Sequence, residues 1–109
     1  MPLDQARNLK NRYRSGRIHE GKVASRLKEL GFTNVRKSAG SRGPADIYAR
    51  SPAGVKSYIQ VKSGSASVSS REVRDLRSLA RQRGGMAVTA ERRNGKTQFR
   101  FRGRWKTPT

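Results

Sequence analysis

With 109 residues, 26 lysines and arginines against seven aspartates and glutamates, and a net charge of +19, the chain supports one small domain whose natural partner is a polyanion. No cysteine and a single histidine exclude a disulfide framework and a zinc cluster, so any metal is expected on oxygen ligands, a set that suits magnesium or manganese. No apolar run approaches the roughly 18–20 residues of a membrane span, and the first residues, MPLDQARNLK, lack the apolar stretch of a signal peptide, which predicts a soluble intracellular protein with no membrane partner.

Residues 1–14 carry basic side chains without apolar periodicity and are expected to form a solvated basic arm that orders on DNA. From Ser15 to Gly31 the segment SGRIHEGKVASRLKELG predicts a helix stopped by its final glycine. At about 100° per residue, Val23, Ala24, Leu27 and Leu30 share one arc, while Lys22, Ser25, Arg26 and Glu29 take the other side. Ile18 falls off the apolar arc and Glu20 projects into it. A carboxylate on the core side of a helix is costly unless it is paired. Two readings of Glu20 fit: a paired functional group, or an edge residue that reaches solvent or an arginine.

Three short strands with period-2 alternation follow, near 34–39, 45–50 and 55–63. GSRGP at 40–44 separates the first two, and SPAG at 51–54 turns the second into the third. On the third, YIQVK at 58–62 puts Tyr58, Gln60 and Lys62 on one face and Ile59 and Val61 on the other. SGSASVSS at 63–70 is a small-residue connector whose backbone freedom would let it close over DNA. Ser69 followed by Glu72 is a capping-box start for a second helix. That helix carries Val73, Leu76, Leu79 and Ala80 on one face and Arg71, Arg74, Arg77, Arg81 and Arg83 on the other, and it ends at Gly84-Gly85. Two last strands flank Asn94-Gly95, the preferred pair for a type I′ hairpin. The order αβββαββ predicts an α+β domain over 15–102, with helices packed on a sheet, followed by a tail at 103–109. In the tail Trp105 either stacks on a base or pins the chain end.

Four residues carry chemistry: Glu20 on the first helix, Asp46 at the start of the second strand, and Gln60 and Lys62 on the third. Phosphodiester hydrolysis needs a deprotonated water, in-line attack and stabilisation of the charge gathering on phosphorus. Carboxylates holding Mg²⁺ supply most of this, and a lysine orients the nucleophile or stabilises the charge. A hairpin's length separates Asp46 from Gln60, which suits adjacent antiparallel strands.

The segments RYRSGRIHEGKVASRLKELGF, VRKSAGSRGPADIYA, YIQVKSG and LARQRGGMAV, in this order over roughly residues 12–101, resemble the archaeal-type Holliday junction resolvases of the PD-(D/E)xK nuclease superfamily. The resemblance implies a restriction-endonuclease-like core, a mixed central sheet flanked by helices. It also implies a Mg²⁺-dependent endonuclease, with Mn²⁺ as a substitute, that acts as a homodimer and cuts opposing strands of a four-way DNA junction in a prokaryotic or viral cytoplasmic setting. By position the catalytic set is Glu20, Asp46, Gln60 and Lys62 with Ser41 of the GS loop, and Glu20, Asp46 and Gln60 are the metal ligands. Arg14, Arg17, Arg36, Lys37, Arg42, Arg71 and Arg74 are the expected DNA contacts.

Gln60 departs from the family pattern, which has an acid there. An amide keeps an oxygen ligand but loses a charge and is a poor proton acceptor. Two function classes therefore stand: a working junction endonuclease with an amide ligand, and a protein that binds branched or duplex DNA without cutting. A basic RNA-associated or ribosomal protein fits the charge equally well but leaves Glu20, Asp46 and Lys62 unexplained.

Overall fold

The computed structural model of the chain describes residues 20–38, 43–62 and 67–105. Residues 20–29 are helical (α1). After them come β1 (Thr33–Lys37), β2 (Ile47–Arg50), β3 (Lys56–Lys62), the helix α2 (Ser70–Arg83), β4 (Met86–Arg93) and β5 (Lys96–Arg104). The αβββαββ order read from the sequence is the observed one. The expected arm at 1–14, Ile18, the loop residues 63–66 and the end of the tail lie outside the described residues.

Both helices stop by the same device. After α1, Gly31 adopts a left-handed backbone with φ 93°, its N–H donates to the Lys28 carbonyl, and the Phe32 N–H donates to the Leu27 carbonyl. This pattern places the residue after the glycine back against the last turn. Phe32 accordingly packs on the core that contains Leu27. Leu30, expected on the apolar arc, is 44% exposed instead. It follows the last helical residue, so the helical wheel no longer governs where it lies, and Phe32 takes its place. After α2, Gly84 is left-handed and the Gly85 N–H donates to the Ala80 carbonyl.

The five strands form one mixed sheet in the order β1-β2-β3-β4-β5. The first three are antiparallel neighbours, β3 and β4 are parallel, and β4 and β5 are antiparallel. Parallel neighbours need a crossover, and α2 is that crossover. Asn94 and Gly95 both have positive φ, as a type I′ turn between β4 and β5 demands.

The alternation of YIQVK divides two apolar layers. Ile59 and Val61 pack with Val23, Ala24 and Leu27 of α1 and with Ile47, Ala49, Val88 and Ala90. Tyr58 joins Ala45 and Ala87 beneath Leu76 and Ala80 of α2. The helices therefore cover opposite faces of the sheet, and Gln60 and Lys62, in phase with Tyr58, belong to the face of α2. Trp105 packs against this second layer, its N–H donates to the Gly85 carbonyl, and the guanidiniums of Arg77 and Arg81 lie 5.7 and 5.5 Å from its ring centre. It anchors the end of β5 to the crossover.

Gly85 sits where the crossover returns to the sheet. A Cβ there would lie 2.5 Å from Cε2 of Tyr58 and 2.7 Å from the Lys56 carbonyl oxygen. Tyr58 is held in the core, so neither neighbour can retreat cheaply. Gly85→Ala is expected to destabilise the domain by about 1–3 kcal/mol, the cost of overpacking, read as a lower midpoint in urea unfolding.

Candidate active site

Asp46 lies immediately before β2. Its backbone N–H donates to the Ile59 carbonyl and its own carbonyl accepts from the Ser38 N–H, both at 2.8 Å. The residue is thus fixed from β3 on one side and from the end of β1 on the other. Its side chain is fixed as well: Oδ2 accepts the Val61 N–H at 2.8 Å. Burial pushes the carboxyl above its ordinary value of 3.8. The Val61 N–H and the Lys62 ammonium oppose that rise, and the Glu72 charge adds to it.

Asp46 and Gln60 line one side of an open cleft of about 600 Å³, together with Gly43 and Pro44. The other wall is a single stripe of α2: Glu72, Asp75, Ser78, Leu79 and Gln82. Helical spacing puts these on one flank. The cleft exists because α2 covers the apolar end of its sheet face with Leu76 and Ala80, while its first turn overhangs the polar end of β3.

At that polar end the Lys62 ammonium lies 2.6 Å from Oε2 of Glu72. Glu72 uses its other oxygen, Oε1, to accept the Ser69 N–H, while the Ser69 hydroxyl accepts the Glu72 N–H. Burial pushes the Glu72 carboxyl upward, but the bonds from Lys62 and Ser69 outweigh it and hold the group below its ordinary range. On β4, Thr89 stands beside Gln60 and Glu91 beside Lys62. Both are buried, and Arg102 of β5 serves both, donating to the Thr89 hydroxyl at 3.0 Å and pairing with Glu91 at 3.6 Å.

The structure thus brings together Asp46, Gln60 and Lys62 of the expected set. Glu20 is half-buried on α1 and has an interaction partner, but it does not line the cleft. Ser41, Arg14, Arg17 and Arg42 lie outside the described residues. Arg36 lines a cleft of about 770 Å³ at the β1 edge with Tyr48 and Arg83, and both Arg36 and Lys37 line one of about 310 Å³ beside it; Asp46 lines neither. Arg71 is exposed on the first turn of α2. Arg74 lines a separate groove between α2 and β5. Glu72 and Glu91 are neighbours of Lys62 that the sequence reading does not place there.

Among the described residues no three of His, Cys, Asp and Glu come close enough to form a ready-made metal cage. The donor set is nonetheless one that Mg²⁺ accepts, because that ion keeps several waters and is commonly held by one or two carboxylates plus substrate phosphate. Asp46 has Oδ1 left for a ligand, and the Gln60 amide and the Glu72 carboxylate add hard oxygens to the same cleft.

A family model described as restriction endonuclease matches residues 15–97. Among solved structures the chain is similar to Hjc, a Holliday junction resolvase from the archaeal hyperthermophile Archaeoglobus fulgidus. The two share 27% identity with a TM-score of 0.62, over 79% of this chain and 70% of that one. No curated protein matches the chain.

Proposed function

This chain belongs to the restriction endonuclease family, and we propose that within it the protein is a structure-selective DNA endonuclease that resolves four-way junctions. The observation that carries this reading is the meeting of Asp46 and Gln60 at one cleft, with Lys62 ion-paired to Glu72 of its wall, on the fold shared with the Hjc resolvase.

Asp46 and the Gln60 carbonyl would hold Mg²⁺, or Mn²⁺ in its place. Bound there, the ion acidifies a coordinated water and offsets the charge that builds on phosphorus. The Val61 N–H fixes Asp46 in one orientation, so no rearrangement is needed when a phosphate arrives. The Lys62 ammonium, paired with Glu72 of the cleft wall, would supply a positive charge beside it for the phosphate oxygens. Gln60 contributes an oxygen but takes no proton.

Junction choice rests on shape and charge. A net charge of +19 on each chain, doubled in a homodimer, suits a branched polyanion whose arms are recognised through their phosphates, and two such centres would cut opposing strands. No helix among the described residues is long and apolar enough to cross a membrane.

The deciding experiment offers a labelled synthetic four-way junction and a matched linear duplex, each with Mg²⁺ or Mn²⁺. Paired symmetric nicks confined to the junction are expected. Equal cutting of both substrates would overturn the junction preference. Tight junction binding with no products at any enzyme excess would favour the rival reading, a protein that holds branched DNA and does not cut it.

A further inference from the structure

We propose that Glu72, on the first turn of α2, is the second carboxylate of this centre and fills the role that the neutral side chain of Gln60 cannot. The inference rests on the nuclease reading of Asp46 and Lys62 and names a residue which that reading does not include.

Two observations converge on Glu72. It lines the cleft directly across from Asp46 and Gln60. Its Oε2 contacts the ammonium of Lys62 at 2.6 Å, with both side chains about one-third exposed or less. Two carboxylates lining one cleft, with the Gln60 amide in the same lining and a lysine paired to Glu72, form a set of hard oxygen ligands that a divalent cation accepts.

The capping box accounts for only half of this side chain. It occupies Oε1, and a glutamine at the same position satisfies the motif equally well. The helix start therefore does not require a negative charge at residue 72. What the charge does is hold Lys62 and bring a second anionic oxygen to the cleft from the helix side. The strand supplies Gln60, the helix supplies the acid, and the first turn of α2 is rigid enough to position it because both its oxygens are engaged.

The comparison needed is among the full-length wild type, Glu72→Gln, Gln60→Glu and the double exchange. Glu72→Gln preserves the cap, so its helical circular dichroism should match the wild type, and its metal-free melting temperature should fall only slightly through the loss of the partly exposed ion pair with Lys62. Its affinity for Mn²⁺, followed by electron paramagnetic resonance of the free ion, should fall by about 10- to 100-fold, and junction cleavage should fall by about 100-fold. Restoring the acid from the strand in the double exchange should recover most of both. Mn²⁺ binding and cleavage by Glu72→Gln at wild-type levels would overturn the proposal. So would a wild type without Mn²⁺ binding that depends on Asp46. A wild type that binds Mn²⁺ through Asp46 and Glu72 yet cuts no DNA would refute the nuclease reading alone and leave the assignment of Glu72 supported.

Discussion

Asp46→Asn is expected to abolish cutting, to leave junction binding intact or tighter, and to raise the melting temperature of the metal-free protein at neutral pH. Cleavage should fall by at least about 100-fold, the scale of removing one group that stabilises a transition state electrostatically. Binding should survive because the substitution removes a negative charge from a cleft meant for phosphate. The stability gain follows from the direction of the pKa. Burial raises the folded-state value above 3.8, with the Val61 N–H and Lys62 opposing and Glu72 adding. The folded chain therefore binds this proton more tightly than the unfolded chain does. Between the ordinary and the raised value, stability falls as pH rises, and above that window the full penalty of an ionised Asp46 is present. Asparagine carries no such penalty, and its carbonyl can still accept the Val61 N–H. Thermal melts in the presence of a chelator, at neutral pH and again below pH 3.8, should show the gap between variant and wild type closing on acidification. An Asn variant that melts lower at neutral pH would mean that the carboxylate is a structural anchor rather than a group held against its own solvation.

The same residues show where sequence reasoning reaches its limit. YIQVK assigns its faces correctly, because strand periodicity is a property of the backbone: Ile59 and Val61 are in one core layer and Tyr58 is in the other. The capping box at Ser69 and Glu72 and the turn at Asn94-Gly95 are equally local, and both stand as expected. Leu30 fails because a helix end is decided by which residue best caps it, and Gly31 hands the core position to Phe32. Glu72 fails differently. Its spacing to Ser69 is fully explained within four residues, so nothing local signals a contact with Lys62 that depends on α2 crossing back over β3. Glu20 shows the converse: its place on the apolar arc is legible, but its relation to Asp46 depends on how two layers on opposite faces of the sheet meet.

The other flank of α2 carries the second large expected effect. Arg74, Arg77 and Arg81 face Arg100 and Arg102 of β5 across a groove of about 700 Å³ that, among the described residues, no acidic side chain lines. Five arginines in one groove do not contribute equally. Arg102 is committed to Thr89 and the buried Glu91, and Arg77 and Arg81 rest over Trp105. Arg74 and Arg100 are exposed and make no ion pair with a described residue, so their charge is available to a phosphate. Replacing both with alanine should weaken binding to junction and duplex alike and reduce the slope of log affinity against log salt by about 0.9 for each phosphate that is no longer neutralised. Arg102→Ala should behave differently, because it withdraws an ion-pair partner from a buried carboxylate and a donor from Thr89. Its main effect should be a lower melting temperature, with a smaller change in salt slope. If the Arg74 and Arg100 double variant keeps the wild-type slope, DNA does not run along this groove, and the phosphate path must lie on the β1 side with Arg36, Arg50 and Lys56. If the slope falls as expected, α2 separates two tasks by its two flanks: arginines grip the backbone on one, and Glu72 faces Asp46 across the cleft on the other.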